Sequence, residues 1–170
     1  MDARASQGPV TPREGFPVEI QALWCSLLAF LVERGEARFA ALHEQCAETF
    51  VARFWLADEG RLADRVHDGV PDRAVRPNML VAAALPRTPL RREQREGVVA
   101  AAEHALVTPV GLRTLSPDHP DYRARYEGGP EQRDAAYHQG TVWPWPAGFY
   151  VEAALRAATD DERESTAARL

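Results

Sequence analysis

The chain has 170 residues, of which 45% are hydrophobic and 26% are charged, a composition typical of a globular domain rather than a disordered or fibrous protein. Its formal net charge of −5 argues against a general nucleic-acid-binding protein. All 20 basic residues are arginine, which excludes a P-loop lysine, a Schiff-base lysine and a lysine general base. No apolar run is long enough for a transmembrane helix and the N-terminal segment is unlike a signal peptide, so we expect a cytoplasmic protein without a membrane partner.

Two amphipathic helices are predicted in the first third of the chain. From Ile20 to Leu31, apolar residues recur at three- and four-residue spacings, so this stripe is expected to face the core. A second helix is predicted over residues 36–56, and the short connection should make the two helices an antiparallel hairpin. Cys25 and Cys46 both occupy apolar helical positions, which favours two buried free thiols over a disulfide or a metal pair.

The rest of the chain alternates short helices with long polar or proline-rich segments. Residues 57–76 predict a loop with one short strand, and residues 107–140 predict a long irregular segment. Further helices are predicted over residues 78–85, 89–106 and 144–158, and from Thr159 onwards. Since no strand–helix–strand alternation is visible, the sequence predicts an all-α protein of five or six helices, with its functional residues in the long loops.

The segment best suited to binding a ligand covers residues 137–146. It contains His138, Gln139, Trp143 and Trp145 within ten positions. Sugars are bound by flat aromatic faces, which cover their C–H surfaces, and by planar polar groups, which bind their hydroxyls. The alternative is that the two tryptophans fill a core at the start of a helix.

Three other segments carry candidate binding residues, and two of them have a structural alternative. Arg113 lies in the long loop beside several polar residues. Arg76 precedes Asn78, which opens a predicted helix and could cap that helix or contact a ligand hydroxyl. Glu19 stands in the first turn of the strongest helix, where it could complement the helix dipole or point into a pocket.

Metal and covalent nucleophile chemistry are disfavoured, so carboxylate chemistry remains. The histidines form no HExxH motif or Cys/His quartet, and there is no glycine-rich phosphate loop or GxSxG motif, so we expect no metal and no cofactor. Glycoside hydrolysis uses one carboxylic acid to protonate the leaving oxygen and a second carboxylate as base or nucleophile. Residue types alone do not rank the candidate loop carboxylates, which are Asp2, Glu19, Asp118, Asp121 and Asp134.

Five segments occur in an order that matches a known family. They are Met1-Asp2-Ala3, PVTPREGFPVEIQALW at residues 9–24, Arg76-Pro77-Asn78, TPVGLRTLSP at residues 108–117 and RDAAYHQGTVWPW at residues 133–145. Together they resemble the bacterial glycogen debranching enzyme family, in its C-terminal amylo-α-1,6-glucosidase domain. The segments around Arg113 and His138 are the most specific of the five.

The resemblance implies part of an (α/α)6 toroid with a funnel-shaped site in its loops. It also implies hydrolysis, with inversion, of α-1,6-linked glucose stubs on glycogen or another branched glucan. Asp2 would be the general acid, because Met1-Asp2 matches the end of the family's Trp-Met-Asp segment. The resemblance further assigns substrate binding to Glu19, Arg76, Asn78, Arg113, Asp134, His138, Gln139, Trp143 and Trp145.

The chain also departs from the family pattern. The family's second carboxylate lies several dozen residues after the Trp-Pro-Trp stretch, and Leu170 comes before any such segment. Phe16 replaces a usual Lys, and Met79 replaces a usual Gln. We therefore expect residues 1–170 to be a partial domain, truncated at both ends, that is inactive alone and poorly soluble because of exposed apolar faces. The alternatives are a non-catalytic α/α module that binds carbohydrate or protein, and a glucoamylase-like or trehalase-like hydrolase.

Overall fold

The computed structural model of the chain describes residues 4–5 and 8–170, and helices make up about half of them. A 3-10 turn at Ala37–Phe39 leads into the second helix. The seven α-helices of this part of the chain are α1 (Val18–Glu33), α2 (Ala40–Phe54), α3 (Asn78–Ala84), α4 (Arg92–Ala105), α5 (Pro130–Tyr137), α6 (Ala147–Ala157) and α7 (Arg163–Arg169).

Short antiparallel strands lie between the helices, so the prediction of an all-α fold is wrong. The strands are β1 (Arg4–Ala5), β2 (Gly8–Pro9), β3 (Phe16–Pro17), β4 (Trp55–Leu56), β5 (Arg61–Leu62), β6 (Arg65–His67), β7 (Val70–Pro71), β8 (Val107–Thr108), β9 (Gly111–Arg113) and β10 (Val142–Trp143). They pair as β1-β2, β4-β5, β3-β6-β7 and β10-β9-β8. Strands of two or three residues are too short to show an alternating hydrophobic pattern, so periodicity did not reveal them.

The hairpin of β6 and β7 lies in a segment that was predicted as a loop with one short strand, although a turn signal for a hairpin is present. Its two connecting residues are Asp68 and Gly69, and His67 pairs with Val70. Both turn residues have positive φ angles, 49° and 79°. This is the backbone that two-residue hairpins need, and Asp-Gly is a favoured sequence for it. The hairpin matters for the site because β6 also pairs with β3, directly before α1.

Helices α1 and α2 pack against each other as the predicted hairpin, but the prediction of free thiols is wrong. Cys25 and Cys46 form a disulfide across the hairpin, with their Cα atoms 5.9 Å apart. That separation lies in the range that a disulfide spans. The packing of the two helices brings the cysteines together, whereas their spacing along the sequence does not distinguish a pair from two free thiols.

The apolar stripe of α1 that was predicted to face the core is largely exposed. Ile20 is 53% exposed, and Leu23, Trp24 and Leu27 are each 46% exposed. The buried residues of the helix are Val18, Ala22, Cys25, Leu28 and Ala29. This second face is covered because its mostly smaller side chains let α2 and α3 approach closely. Helix α1 therefore has two apolar faces, and periodicity favoured the one with the larger side chains.

Helix α3 lies at the centre of the core, packed against α1, α4 and α6. Six of its seven residues are buried, and Ala82, Ala83 and Ala84 leave room for the neighbouring helices. Its first residue, Asn78, is buried at the end of the helix that faces the start of α1. The packing of α3 against α1 thereby sets the positions of two candidate site residues.

Candidate functional site

Glu19, in the first turn of α1, is held by two side chains from other parts of the chain. Asn78 Nδ2 donates a hydrogen bond to Glu19 Oε1 at 2.9 Å. Arg13 Nη2 donates to Glu19 Oε2 at 2.9 Å, and Arg13 Nη1 bonds Glu19 Oε1. Burial alone would raise the pKa of Glu19, but the hydrogen bonds and charge of Arg13 outweigh it and hold the pKa below its ordinary value. Glu19 is therefore an ionised hydrogen-bond acceptor near neutral pH.

The Asp64 carboxylate accepts hydrogen bonds from the other edge of the Arg13 guanidinium. Arg13 Nε donates to Asp64 Oδ2 at 2.9 Å, and Arg13 Nη2 lies 3.0 Å from Asp64 Oδ1. The Asp64 side chain is 1% exposed, and burial raises its pKa in spite of the charge of Arg13. Sequence reasoning did not single out either residue. Arg13 lay inside one of the family-like segments, and Asp64 gave no signal beyond its acidic side chain.

Arg76 is buried and connects the start of α3 to the segment that follows α5. Its Nη1 donates to the carbonyl oxygens of His138 at 2.5 Å and of Thr114 at 3.2 Å. Its Nη2 donates to Gln139 Oε1 at 2.6 Å. Arg76 Nε lies 3.8 Å from Asp64 Oδ2, and burial lowers the pKa of the guanidinium. Most of the donors of Arg76 are thus directed at protein acceptors.

These contacts define the Glu19 cluster, which consists of Arg13, Glu19, Asp64, Arg76 and Asn78. His138 and Gln139 join it through Arg76. The structure therefore brings together five residues that were predicted as substrate-binding. One buried acceptor of the cluster, the side-chain oxygen Oδ1 of Asn78, has no hydrogen-bond partner among residues 8–170. Buried polar atoms are normally satisfied, so a hydroxyl group or water is the natural partner for this oxygen.

Helix α5, which positions His138, was predicted as irregular chain. Pro130 occupies its first position, and the Gln132 side chain accepts a hydrogen bond from the Gly129 backbone N–H at 2.8 Å. Proline at the first position and glutamine at the third are helix-start signals that the sequence did contain. His138 follows directly after the last residue of α5, and its buried ring lies edge-on to Tyr137, with 4.7 Å between centroids.

The two predicted tryptophans lie in different aromatic groups. Trp143 Nε1 donates to the Tyr137 carbonyl oxygen at 2.9 Å, and the Trp143 and Tyr137 rings are 4.7 Å apart. Tyr126, which was not predicted, lies 5.8 Å from both rings. Trp145 instead contacts Phe149 at 6.4 Å and is 50% exposed. The alternative of a core-filling role therefore does not fit Trp145.

Three further predicted residues are not part of the Glu19 cluster. Arg113 lies on β9, where its backbone pairs with Val142, and its side chain reaches the carbonyl oxygen of Ala105 at 3.5 Å. Asp134 lies on α5 and is half-buried. Asp2 falls outside the described residues, so its predicted role as general acid stays a prediction.

The described residues show neither a cluster of metal ligands nor a membrane-spanning helix. Within residues 4–5 and 8–170, no three His, Cys, Asp or Glu side chains are grouped so as to hold a metal ion. In the same residues, no helix combines the length and apolar character needed to cross a membrane.

Comparison with known proteins identifies the family. The family model for amylo-alpha-1,6-glucosidase matches residues 1–170. The glycogen debranching enzyme of Saccharomyces cerevisiae is 26% identical over 187 aligned residues, which cover 85% of this chain. The chain spans only 12% of the length of that relative. The family resemblance seen in the sequence is confirmed, and the chain belongs to the amylo-alpha-1,6-glucosidase family.

Proposed function

We propose that this chain is part of a glucosidase domain that acts on α-1,6-linked glucose at the branch stubs of glycogen or a related glucan. The Glu19 cluster would bind the terminal glucose. The observation that carries this proposal is the convergence of Glu19 with Asn78, whose side-chain oxygen is buried and unpartnered among the described residues. The yeast relative's name, glycogen debranching enzyme, supports a branched glucan as the substrate.

The chemistry of the cluster suits a sugar hydroxyl face. An ionised carboxylate accepts hydrogen bonds from hydroxyl groups, and the Asn78 oxygen can accept another. The Gln139 Oε1 atom accepts a hydrogen bond from Arg76. This bond fixes the orientation of the Gln139 amide and leaves its Nε2 atom as a donor. Trp145 is 50% exposed, and an exposed tryptophan ring is suited to cover an apolar sugar face. A site with both hydroxyl acceptors and donors fits a carbohydrate better than a phosphate or a cation.

Asp2 is assigned as the general acid of the proposed reaction by the family resemblance alone, and the electrostatics of the cluster disfavour Glu19 and Asp64 for that role. A general acid must carry a proton near neutral pH, and Arg13 keeps Glu19 ionised. Asp64 has a raised pKa, but its side chain is enclosed and both its oxygens accept hydrogen bonds from Arg13. Neither carboxylate is suited to protonate a glycosidic oxygen. An inverting reaction would need a second carboxylate about 6.5–9.5 Å from the acid.

The proposal that this is a partial domain is supported by the exposed apolar face of α1. Ile20, Leu23, Trp24 and Leu27 form a continuous stripe, and isolated domains rarely leave such a stripe in water. Further helices of a longer glucosidase domain would cover it. We therefore expect the 170-residue chain to self-associate through this stripe when no further helices cover it.

Ligand binding by the isolated chain tests the proposed function. Titration calorimetry with isomaltose, the smallest α-1,6-linked glucose disaccharide, should show saturable binding, and trehalose should bind at least tenfold more weakly. Glu19→Gln should weaken isomaltose binding about tenfold or more, because a charged hydrogen bond is replaced by a neutral one. Equal affinity for both sugars, or no effect of Glu19→Gln, would contradict the proposal.

A further inference from the structure

We propose that Arg13 and Asp64 are positioning residues, which hold the Glu19 carboxylate and the Arg76 guanidinium in place without contacting the ligand. The inference rests on the proposed function of the Glu19 cluster, and it concerns residues to which the family resemblance assigned no role. In this arrangement, Glu19, Arg13, Asp64 and Arg76 form a chain of alternating charge. It runs from the start of α1 to the start of α3.

Arg13 has no edge left for a ligand. Its Nε and Nη2 atoms bond the Asp64 carboxylate, and its Nη1 and Nη2 atoms bond the Glu19 carboxylate. Nη2 also lies 3.0 Å from the Asp64 carbonyl oxygen. The Arg13 side chain is 7% exposed. A guanidinium whose three nitrogens are all bound to protein acceptors acts on a sugar only through the carboxylate that it orients.

Asp64 is anchored by its backbone as well as by its side chain. Its carbonyl oxygen accepts a hydrogen bond from the Val18 N–H at 3.0 Å, at the start of α1. Its own N–H donates to the carbonyl oxygen of Asp72 at 2.9 Å. The residue is therefore fixed between the first helix and the β6–β7 hairpin. Its carboxylate is the shared negative charge between two buried guanidinium groups, those of Arg13 and Arg76.

Removal of the Asp64 carboxylate would release both neighbours at once. Arg13 would keep Glu19 and the backbone carbonyl oxygen of residue 64 but lose its second carboxylate. Arg76 would lose its nearest negative charge, so the two buried guanidinium groups would repel each other. Lysine in place of Arg13 would keep the positive charge but could not form bidentate hydrogen bonds with two carboxylates. In both cases Glu19 would be free to move away from Asn78, although the residues that meet the ligand would be unchanged.

Asn78 provides a direct reporter of this geometry, since it is the only asparagine in the chain. Selective ¹⁵N-asparagine labelling should give one side-chain NH₂ pair in the NMR spectrum. We expect Arg13→Lys and Asp64→Ala to shift that pair and to speed its exchange with water at least threefold. Arg87→Lys is the matched control, because Arg87 Nε bonds Glu33 Oε2 at 2.5 Å on the exposed surface, at the other end of α1 from Glu19. An Asn78 signal that is the same in wild type and both cluster variants would overturn the proposal.

A double-mutant cycle separates positioning from a merely structural role. We expect Asp64→Ala and Glu19→Gln each to raise the dissociation constant for isomaltose about tenfold. The dissociation constant of the double variant should be no more than about twofold above that of whichever single variant binds more weakly. Effects that multiply to about a hundredfold would show that Asp64 acts independently of Glu19 and would overturn the proposal. If Asp64→Ala does not fold, Arg13→Lys replaces it in the same cycle.

The two measurements keep this inference separate from the proposed function. If the wild-type chain does not bind isomaltose, the proposed function fails, while the Asn78 signal still decides whether Arg13 and Asp64 position Glu19. If isomaltose binds but the Asn78 signal and the cycle show no coupling, the glucose site stands and the positioning role is rejected.

Discussion

The Asn78 side chain donates a hydrogen bond to Glu19 across 59 positions of sequence, with Nδ2 and Oε1 2.9 Å apart. Asn78 is the first residue of α3, and the position before it, Pro77, makes no side-chain capping bond. The bond therefore joins two helix starts instead of capping one. The simple alternatives for these residues, a helix cap and a helix-dipole partner, do not account for the pair.

Asn78→Ala tests how much this bond contributes to the site compared with the fold. It removes one hydrogen bond to Glu19, but it also removes the buried oxygen that lacks a partner. We expect the free energy of unfolding to fall by only about 1 kcal/mol, because the two effects partly cancel. Isomaltose affinity should fall about tenfold or more. Urea unfolding and calorimetry measure the two quantities, and a large stability loss with unchanged affinity would contradict this prediction.

The lowered pKa of Glu19 predicts an acid-sensitive contribution to stability. Because the folded-state pKa lies below the unfolded value of about 4.3, the contribution is fully present above that value. It is lost as the pH falls through the folded-state pKa. Glu19→Gln should therefore unfold with a flatter pH dependence than wild type below about pH 4.3. Urea unfolding at a series of pH values measures the difference, and parallel curves would argue against an ion pair with Arg13.

Asp64 should have the opposite pH dependence. Its pKa is raised by burial, so its contribution to stability is greatest below the unfolded value of about 3.9 and decreases as the pH rises through the folded-state pKa. Wild type and Asp64→Ala should therefore differ in slope above about pH 3.9, whereas Glu19→Gln differs below about pH 4.3. The same urea series measures both slopes. A common slope change for the two variants would contradict the assignment of opposite shifts.

The disulfide between α1 and α2 should stabilise the hairpin measurably. Cys25 and Cys46 are 21 residues apart, and closing a loop of that length is worth on the order of 3 kcal/mol in the unfolded-state entropy account. A Cys25→Ser, Cys46→Ser double variant should lose about that much free energy of unfolding. Dithiothreitol should destabilise the wild type and leave the double variant unchanged. Equal sensitivity of both proteins to the reductant would count against the bond.

Leu27 and Leu28 are adjacent on α1, but they differ in surroundings. Leu27 is 46% exposed on the uncovered stripe, whereas Leu28 is fully buried. Leu27→Glu should reduce self-association in sedimentation velocity at little cost in stability, since it removes exposed apolar surface. Leu28→Ala should cost about 3 kcal/mol through lost burial and a cavity. A stability loss of similar size for both variants would show that the stripe is covered in solution.

The same helix shows how much of the fold the sequence could predict. The periodicity of α1 gave the helix and its hairpin partner correctly, because large apolar residues at helical spacing are a strong signal. It predicted the buried face only in part: Cys25 and Leu28 are buried, but the core face is also built from Ala22 and Ala29, whose small side chains add little to such a pattern. Which face is covered depends on α3, which lies some 45 residues further along the chain.

The candidate site was predictable to a similar extent. Glu19, Asn78 and His138 were found because they lie in family-like segments, and the structure brings them to one place. Asp64 was missed, because its place in the cluster depends on a hydrogen bond from Arg13, which is 51 positions away in sequence. This contact arises from the pairing of β3 with β6, and no pattern of neighbouring residues in the sequence predicts that pairing.

Two helical glycines provide a final pair of opposite predictions. Gly97 in α4 packs so closely against the turn between β4 and β5 that an added Cβ would lie 2.1 Å from the Gly60 carbonyl oxygen. Gly97→Ala should therefore destabilise the protein by about 1–3 kcal/mol, despite the better helix propensity of alanine. Gly148, in the first turn of α6, has no atom within 4 Å of such a Cβ. Gly148→Ala should stabilise the protein by about 0.5 kcal/mol in urea unfolding, and a loss of stability there would contradict the open space around the start of α6.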